Sequence, residues 1–214
     1  MLNKEQILDL YKFNDNQLKL IEASQFKSQT SHKPARAIKV NKILLKFFNE
    51  NHFKNKKILE LGPGHFAFSI IARELGAKLK VIEIDKNFSL LGKSLGFEVE
   101  SFDFLKNSEK ILENNNIEGV WMKNTINGCL HNEIIIKTFI NNITRIISRN
   151  NGWGFISTAN KYNDNYKTSL VEAQEMQRYH FSKNGWLEIN MDEITRRELS
   201  LSLIHISEPT RQEA

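Results

Sequence analysis

The chain has 214 residues, 30 Lys and Arg against 25 Asp and Glu, and a formal net charge of +5. Its 40% hydrophobic content supports a sizeable core and excludes a disordered or collagen-like chain. The single cysteine, Cys129, excludes an internal disulfide and, with scattered histidines, builds no zinc site, so no metal is expected.

No apolar run reaches the roughly 18 residues of a membrane helix, and charges interrupt the apolar positions of the first 15 residues, unlike a secretory signal. No membrane partner and a reduced, cytoplasmic setting are therefore expected. The basic balance permits attraction to nucleic acid, but no tight Lys/Arg block supports a dedicated site. The nearest cluster, Lys54, Lys56 and Lys57, suits a solvated strand entrance.

The N-terminal third reads as helices. Lys4–Tyr11 carries Ile7, Leu8 and Leu10, and Asn16–Phe26 carries Leu18, Ile21 and Phe26 on one stripe. The polar stretch Ser28–Lys33 ends at Pro34, where a fresh helix starts and runs to Phe53 with a broad apolar face. Residues 1–33 are expected to cap the site or form an extra packing layer. Strand and helix then alternate: strand Lys57–Leu61, helix Phe66–Leu75, strand Leu79–Ile84, helix Phe88–Leu95, strand Phe97–Phe102, and a short helix Ser108–Asn114. Strand Gly119–Met122 and helix Glu133–Ser148 follow, the latter expected to bury Ile134, Ile135, Phe139, Ile143, Ile146 and Ile147. Strand Trp153–Thr158, a helix in Ser169–Tyr179 and a sixth strand Trp186–Ile189 complete the pattern. Such alternation predicts an α/β fold: a Rossmann-like, doubly wound, mostly parallel sheet with an N-terminal helical extension.

Residues 201–211, LSLIHISEPTR, resemble a translated sequencing adapter. The expected division is therefore 1–33 as the helical extension, 34–200 as the α/β domain and 201–214 as a non-native tail, with the last strands truncated. The other reading of the tail is a genuine short strand, Leu201–Ile206.

The main motif is Glu60-Leu61-Gly62-Pro63-Gly64-His65-Phe66, where a strand ends and a helix begins. Gly62 allows a tight turn, and Gly64 lets a ligand approach the backbone. Amides at the following helix start can face an anionic group. Glu83 ends the second strand, 21 residues beyond Gly62, close to the roughly 20-residue spacing of an acid that accepts ribose hydroxyls. Asp103 follows the third strand and can accept from an adenine amino group, with Phe102 or Phe104 against the ring. Each has a structural reading too: Asp103 as a turn cap, Asp85 as a solvated helix cap, Phe66 and Phe68 as core anchors, Trp121 and Trp153 as sheet packing, and His65, which could point toward a ligand carboxylate or an acceptor, as a loop-exposed histidine.

On these residues, about 56–160 resemble the class I S-adenosylmethionine-dependent methyltransferases. Their motif usually reads acidic-x-Gly-x-Gly-x-Gly; Glu60, Gly62 and Gly64 match, and Phe66 takes the third glycine position. The resemblance implies S-adenosyl-L-methionine as cofactor and a cofactor site of Glu60, Gly62, Pro63, Gly64, Glu83, Ile84, Asp103 and Phe104. Nicotinamide sites more often use Gly-x-Gly-x-x-Gly, whose last glycine would be Ala67 here.

The acceptor is expected beside the loop after the fourth strand, Met122–His131. Asn124 could bind an acceptor hydroxyl or amide, and His131 could act as a base; a solvated helix start is the other reading of His131. Adenine methyltransferases often follow their Asn or Asp with proline and an aromatic residue, which this loop lacks. Cys129 is expected to pack, and Tyr162, Tyr166 and His180 are positioned for a substrate wall. The expected function is methyl transfer to a small-molecule acceptor. RNA methylation is the alternative, and a non-catalytic ligand-binding or partner domain is a third.

Overall fold

The structure is a computed structural model that describes residues 2–24, 35–114, 116–123, 132–157, 167–189 and 204–207. The chain divides into two compact units, Met1–Asp103 and Phe104–Ala214.

The first unit opens with helices α1 (Lys4–Leu10) and α2 (Asp15–Ala23). Each starts at an asparagine, Asn3 or Asn14, whose side chain accepts from the backbone three residues on while a glutamine there reaches back. These reciprocal caps satisfy amides that a short helix would leave bare. Helix α3 (Ala35–Phe47) buries Ala37, Val40, Ile43 and Leu44. It stops short of the expected Phe53 because Asn49 opens a separate 3₁₀ turn, Glu50–His52, with its side chain accepting from the Asn51 amide at 3.0 Å. Strand β1 (Lys57–Leu61), helix α4 (Ala67–Glu74), strand β2 (Lys78–Ile82), helix α5 (Lys86–Ser94) and strand β3 (Glu98–Glu100) complete the unit. The strands lie in the order β3-β2-β1, all parallel.

The N-terminal helices are a packing layer of this unit. Helix α2 packs on α5, and α1 on α3 and α4. Asn87 Nδ2 donates to the Ala23 carbonyl at 2.9 Å, and Asn41 Nδ2 to the Leu2 carbonyl at 3.1 Å. The core is Ile58, Leu59, Leu61, Phe68, Ile70, Val81, Ile82, Phe88 and Leu91.

The second unit holds a 3₁₀ segment (Ser108–Glu113), strand β4 (Gly119–Lys123), helix α6 (Glu133–Arg149), strand β5 (Trp153–Ser157), helix α7 (Lys167–Lys183), strand β6 (Leu187–Glu188) and strand β7 (Ile204–Ser207). Their order is β4-β5-β7-β6; β4 and β5 are parallel, while β7 runs antiparallel to both β5 and β6. The buried stripe of α6 is Ile136, Phe139, Ile140, Ile143, Ile146 and Ile147. Ile134, expected inside, is 78% exposed, because a stripe of helical period that holds Phe139 and Ile143 is extended backward by Ile136. Tryptophans pack over glycines: a side-chain carbon added at Gly119 would fall 2.5 Å from Trp153, and at Gly154 2.3 Å from Trp186. Trp121 stacks on its register partner Phe155 at 4.1 Å.

The architecture is the expected Rossmann-like, mostly parallel sheet with N-terminal helices. Strand β7 comes from within the stretch that resembles a translated adapter. Without it β5 would present an unpaired edge, which a segment alternating like Ile204-His205-Ile206-Ser207 can cover whatever its origin.

Candidate functional site

The register of the first unit sets out the site. Leu61 pairs with Ile82, and Ile82 with Glu100, so Gly62, Glu83 and Ser101 leave three parallel strands side by side. The Gly62 amide donates to the Ile82 carbonyl at 2.9 Å, and the Glu83 amide to the Glu100 carbonyl at 3.0 Å.

The turn after β1 is left-handed three times. Gly62 has φ 66°, Gly64 φ 56° and Phe66 φ 59°. A glycine adopts this conformation freely, whereas a side chain there costs about 1–2 kcal/mol. Phe66, at the third glycine position, is held there by its ring, which is buried and stacks on Phe97 at 5.6 Å and 8°. Gly92 on α5 makes the space: a side-chain carbon there would meet Phe66 Cζ at 2.4 Å and Val99 Cγ2 at 2.7 Å. Burial of a phenylalanine, roughly 1.5–3 kcal/mol, offsets the backbone cost.

Glu83 lies one residue past β2, and its side chain is buried. Its Oε1 accepts from the Asp85 amide at 2.9 Å, and the Gly64 and Ile84 backbone amides act on it in the same direction. Burial pushes its pKa up to about 7, opposed by these amides and assisted by the neighbouring Asp85. Glu60, on β1, is also buried, and Ser69 Oγ on α4 donates to its Oε2. Burial raises its pKa to about 8, while the Ser69 hydroxyl and the Arg36 guanidinium pull the other way. Two buried carboxylates with raised pKa values beside a glycine turn are a functional-site signature.

Ile84 is 49% exposed although apolar, beside Glu83. Asp103 and Phe102 are half-buried after β3. Phe104 is buried and packs on Phe139 at 5.8 Å, so of the two aromatic candidates Phe102 is the more accessible. Pro63 is buried, and its carbonyl accepts from the Phe66 amide at 3.2 Å, closing the turn.

Two expectations are corrected. His65 is fully buried, edge-on to Phe88 at 5.3 Å, because the turn folds it inward onto α5. Asp85 does cap α5, accepting from the Asn87 and Phe88 amides at 2.9 Å, but it is buried rather than solvated. Phe66, Phe68, Trp121 and Trp153 are core residues as read. His180 is buried on α7, with Nε2 3.1 Å from Glu133 Oε1 at the start of α6. Asn124, His131, Cys129, Tyr162, Tyr166, Phe26 and His32 lie outside the described residues.

Sequence reasoning missed Ser69, Tyr11 and Arg36. Ser69 sits within the apolar run of α4 and gives no local signal. Tyr11 and Arg36 reach Glu60 electrostatically from separate N-terminal helices, a proximity that no spacing encodes.

The fold so assembled is that of the class I S-adenosylmethionine-dependent methyltransferases. No family model matches the chain, and no curated protein matches its sequence. Among solved structures it is similar to an S-adenosylmethionine-dependent methyltransferase from Archaeoglobus fulgidus, with 12% identity, 86% of this chain and 97% of that one covered, and a TM-score of 0.58. It is similar to magnesium protoporphyrin IX methyltransferase from Synechocystis, solved with bound S-adenosylmethionine, with 11% identity, 98% and 99% coverage and a TM-score of 0.58. A Pyrococcus horikoshii protein whose name assigns it provisionally to RNA methylation aligns with 17% identity, 100% coverage of both chains and a TM-score of 0.54. Among the described residues no helix is long and apolar enough to cross a membrane.

Proposed function

We propose that the chain transfers the methyl group of S-adenosylmethionine to a small-molecule acceptor. The observation that carries the reading is the strand register, which sets the glycine turn after β1 beside the buried Glu83 carboxylate at the end of β2. In this reading Gly62, Pro63 and Gly64 present backbone to the cofactor, and Glu83 accepts from the ribose hydroxyls. Ile84 offers its exposed apolar side chain to the adenine, Asp103 accepts from the adenine amine, and Phe102 or Phe104 flanks the ring. Glu60 faces the ammonium of the methionyl end.

When bound, the cofactor supplies an electrophilic methyl on a sulfonium. The chain's own task is to hold donor and acceptor in line and exclude water, which can carry much of the rate when the acceptor is already nucleophilic. Asn124 is proposed to position the acceptor and His131 to take its proton where it carries one. A small acceptor is supported by the lack of proline and an aromatic residue after Asn124, and by similarity to a methyltransferase named for a porphyrin. The Pyrococcus horikoshii likeness favours RNA as the second reading.

Calorimetry with S-adenosylmethionine and with NAD tests the cofactor. The former is expected to bind and the latter not, and Glu83→Ala is expected to weaken binding by about tenfold or more, as for loss of hydrogen bonds to a charged group. Absence of S-adenosylmethionine binding by folded protein would sink the proposal. Methyl-labelled cofactor incubated with fractionated lysate should then mark a low-mass product. Label in a ribonuclease-sensitive fraction would reassign the acceptor to RNA, and binding without any transfer would support the non-catalytic alternative.

A further inference from the structure

In the second unit, helix α7 buries Gln177, His180 and Phe181, which recur at helical spacing and share one face. Neighbours fix the direction of that face. Trp186, just past the helix, packs on the Phe181 ring at 5.3 Å, covers Gly154 near the start of β5, and donates from Nε1 to Thr144 Oγ1 of α6 at 2.8 Å. His180 Nε2 lies 3.1 Å from Oε1 of Glu133, the first residue of α6. Helix α6 leads from the end of β4 back to the start of the parallel β5, so its first turn lies level with the strand ends. Read backward, α7 therefore rises from the start of β5 toward the ends of β4 and β5. Gln177 is three residues, about 4.5 Å, farther along that rise. It is wholly buried, and among the described residues neither Oε1 nor Nε2 has a hydrogen-bond partner.

A carboxamide buried with donor and acceptor both idle acts against the fold, and an apolar side chain of like size would pack there without that cost. We propose that Gln177 determines specificity for the methyl acceptor, and that the acceptor is a small molecule with an N–H beside a carbonyl: a lactam, an imide or a primary carboxamide. Nε2 donates to the carbonyl and Oε1 accepts from the N–H, two bonds in one plane. His180, tied to Glu133, holds this face of α7 against α6 from the next turn. The proposal rests on the proposed function, in which the acceptor lies beside the loop joining β4 to α6, and it names the acceptor's class. Since the amide is sealed in the free chain, ligand entry displaces neighbouring side chains and association should be slow.

The probes are benzamide, which carries the N–H and the carbonyl, and acetophenone, which keeps shape and carbonyl but lacks the N–H. Binding of each is titrated by ligand-observed NMR on the full chain and on Gln177→Met, which keeps side-chain length and removes both polar atoms. The full chain should bind benzamide about tenfold or more tighter than acetophenone, because acetophenone leaves Oε1 unpaired. Gln177→Met should bind the two within about threefold of each other. Its unliganded melting temperature should stay level or rise, since an unsatisfied amide is removed. Its S-adenosylmethionine affinity should stay within about twofold, while labelled-methyl transfer to the active lysate fraction, at limiting dilution, should fall about tenfold or more.

Equal affinity of the full chain for the two probes, or no binding of benzamide, would overturn the inference. So would a drop of more than about 3 °C in the melting temperature of Gln177→Met, which would show the amide to be bonded within the fold. Each of these leaves the proposed function standing. If the full chain fails to bind S-adenosylmethionine, the proposed function falls, and the benzamide comparison still decides whether Gln177 reads an amide edge.

Discussion

In the unit Met1–Asp103 three carboxylates, Glu60, Glu83 and Asp85, are buried; among the described residues of Phe104–Ala214 none is. The second unit instead buries the isoleucine stripe of α6 and tryptophans seated over Gly119 and Gly154. Burying a carboxylate costs several kcal/mol unless it is hydrogen-bonded or neutralised, whereas burying isoleucine stabilises the fold by roughly 1.5–3 kcal/mol per side chain. The first unit therefore holds groups that act against its own stability, and they lie at the ends of β1 and β2. Burial of carboxylates marks where cofactor binding is to be sought, and the described core of the second unit buries neutral polar groups and apolar side chains instead.

Overpacking offers the sharpest way to break this contrast. Gly92→Val and Gly154→Val each drive a branched side chain into an aromatic ring and should each cost about 2–3 kcal/mol in chemical denaturation. Gly92→Val displaces Phe66 and with it the glycine turn, so it should also lose S-adenosylmethionine affinity, while Gly154→Val should retain it. Equal loss of affinity in the two variants would erase the distinction.

The buried carboxylates predict an unusual pH dependence. Glu60 and Glu83 have pKa values raised from 4.5 to about 8 and about 7. Between those limits the folded chain holds protons that the unfolded chain has released, so stability falls as pH rises. Below about pH 4.5 this contribution is fully present, and it is lost on passing through about pH 7–8. Melting temperature measured from pH 5 to pH 9 should therefore decline. Glu60→Gln should flatten that decline and stabilise the unliganded protein at pH 9, on the order of 2 kcal/mol. A flat profile in the parent chain would show these carboxylates to be hydrated rather than buried.

The smallest effect belongs to the second unit's surface. Arg178 meets Glu188 through two hydrogen bonds, at 2.9 and 3.2 Å, with both side chains partly exposed. Arg178→Ala should change stability by no more than about 1 kcal/mol, and less at high salt. A larger loss in a salt-dependent melt would mean that electrostatics matter in both units.

Several features were legible from sequence because they are local. Short apolar runs marked β1 and β5, and the paired glycines marked the turn before α4. An acid 21 residues after Gly62 marked the end of β2. The phase of α6 was misread at Ile134 because its first turn is apolar on more than one side, and only the packed face decides which isoleucines are buried. His65 looked like a loop residue, and the turn buries it against Phe88.

The sequence by itself determined the order of strands and helices, the glycine turn, and the acids at the ends of β1 to β3, since each depends on residues within a few positions of one another. The tertiary structure alone decided that Phe66 can occupy a left-handed position, because the space for its ring is left by Gly92 on another helix. It likewise decided that Glu60 is met by Ser69 and lies within the electrostatic reach of Arg36 and Tyr11. Such meetings depend on how α1, α3 and α4 pack, and packing is set by the whole buried surface rather than by the spacing of any two residues.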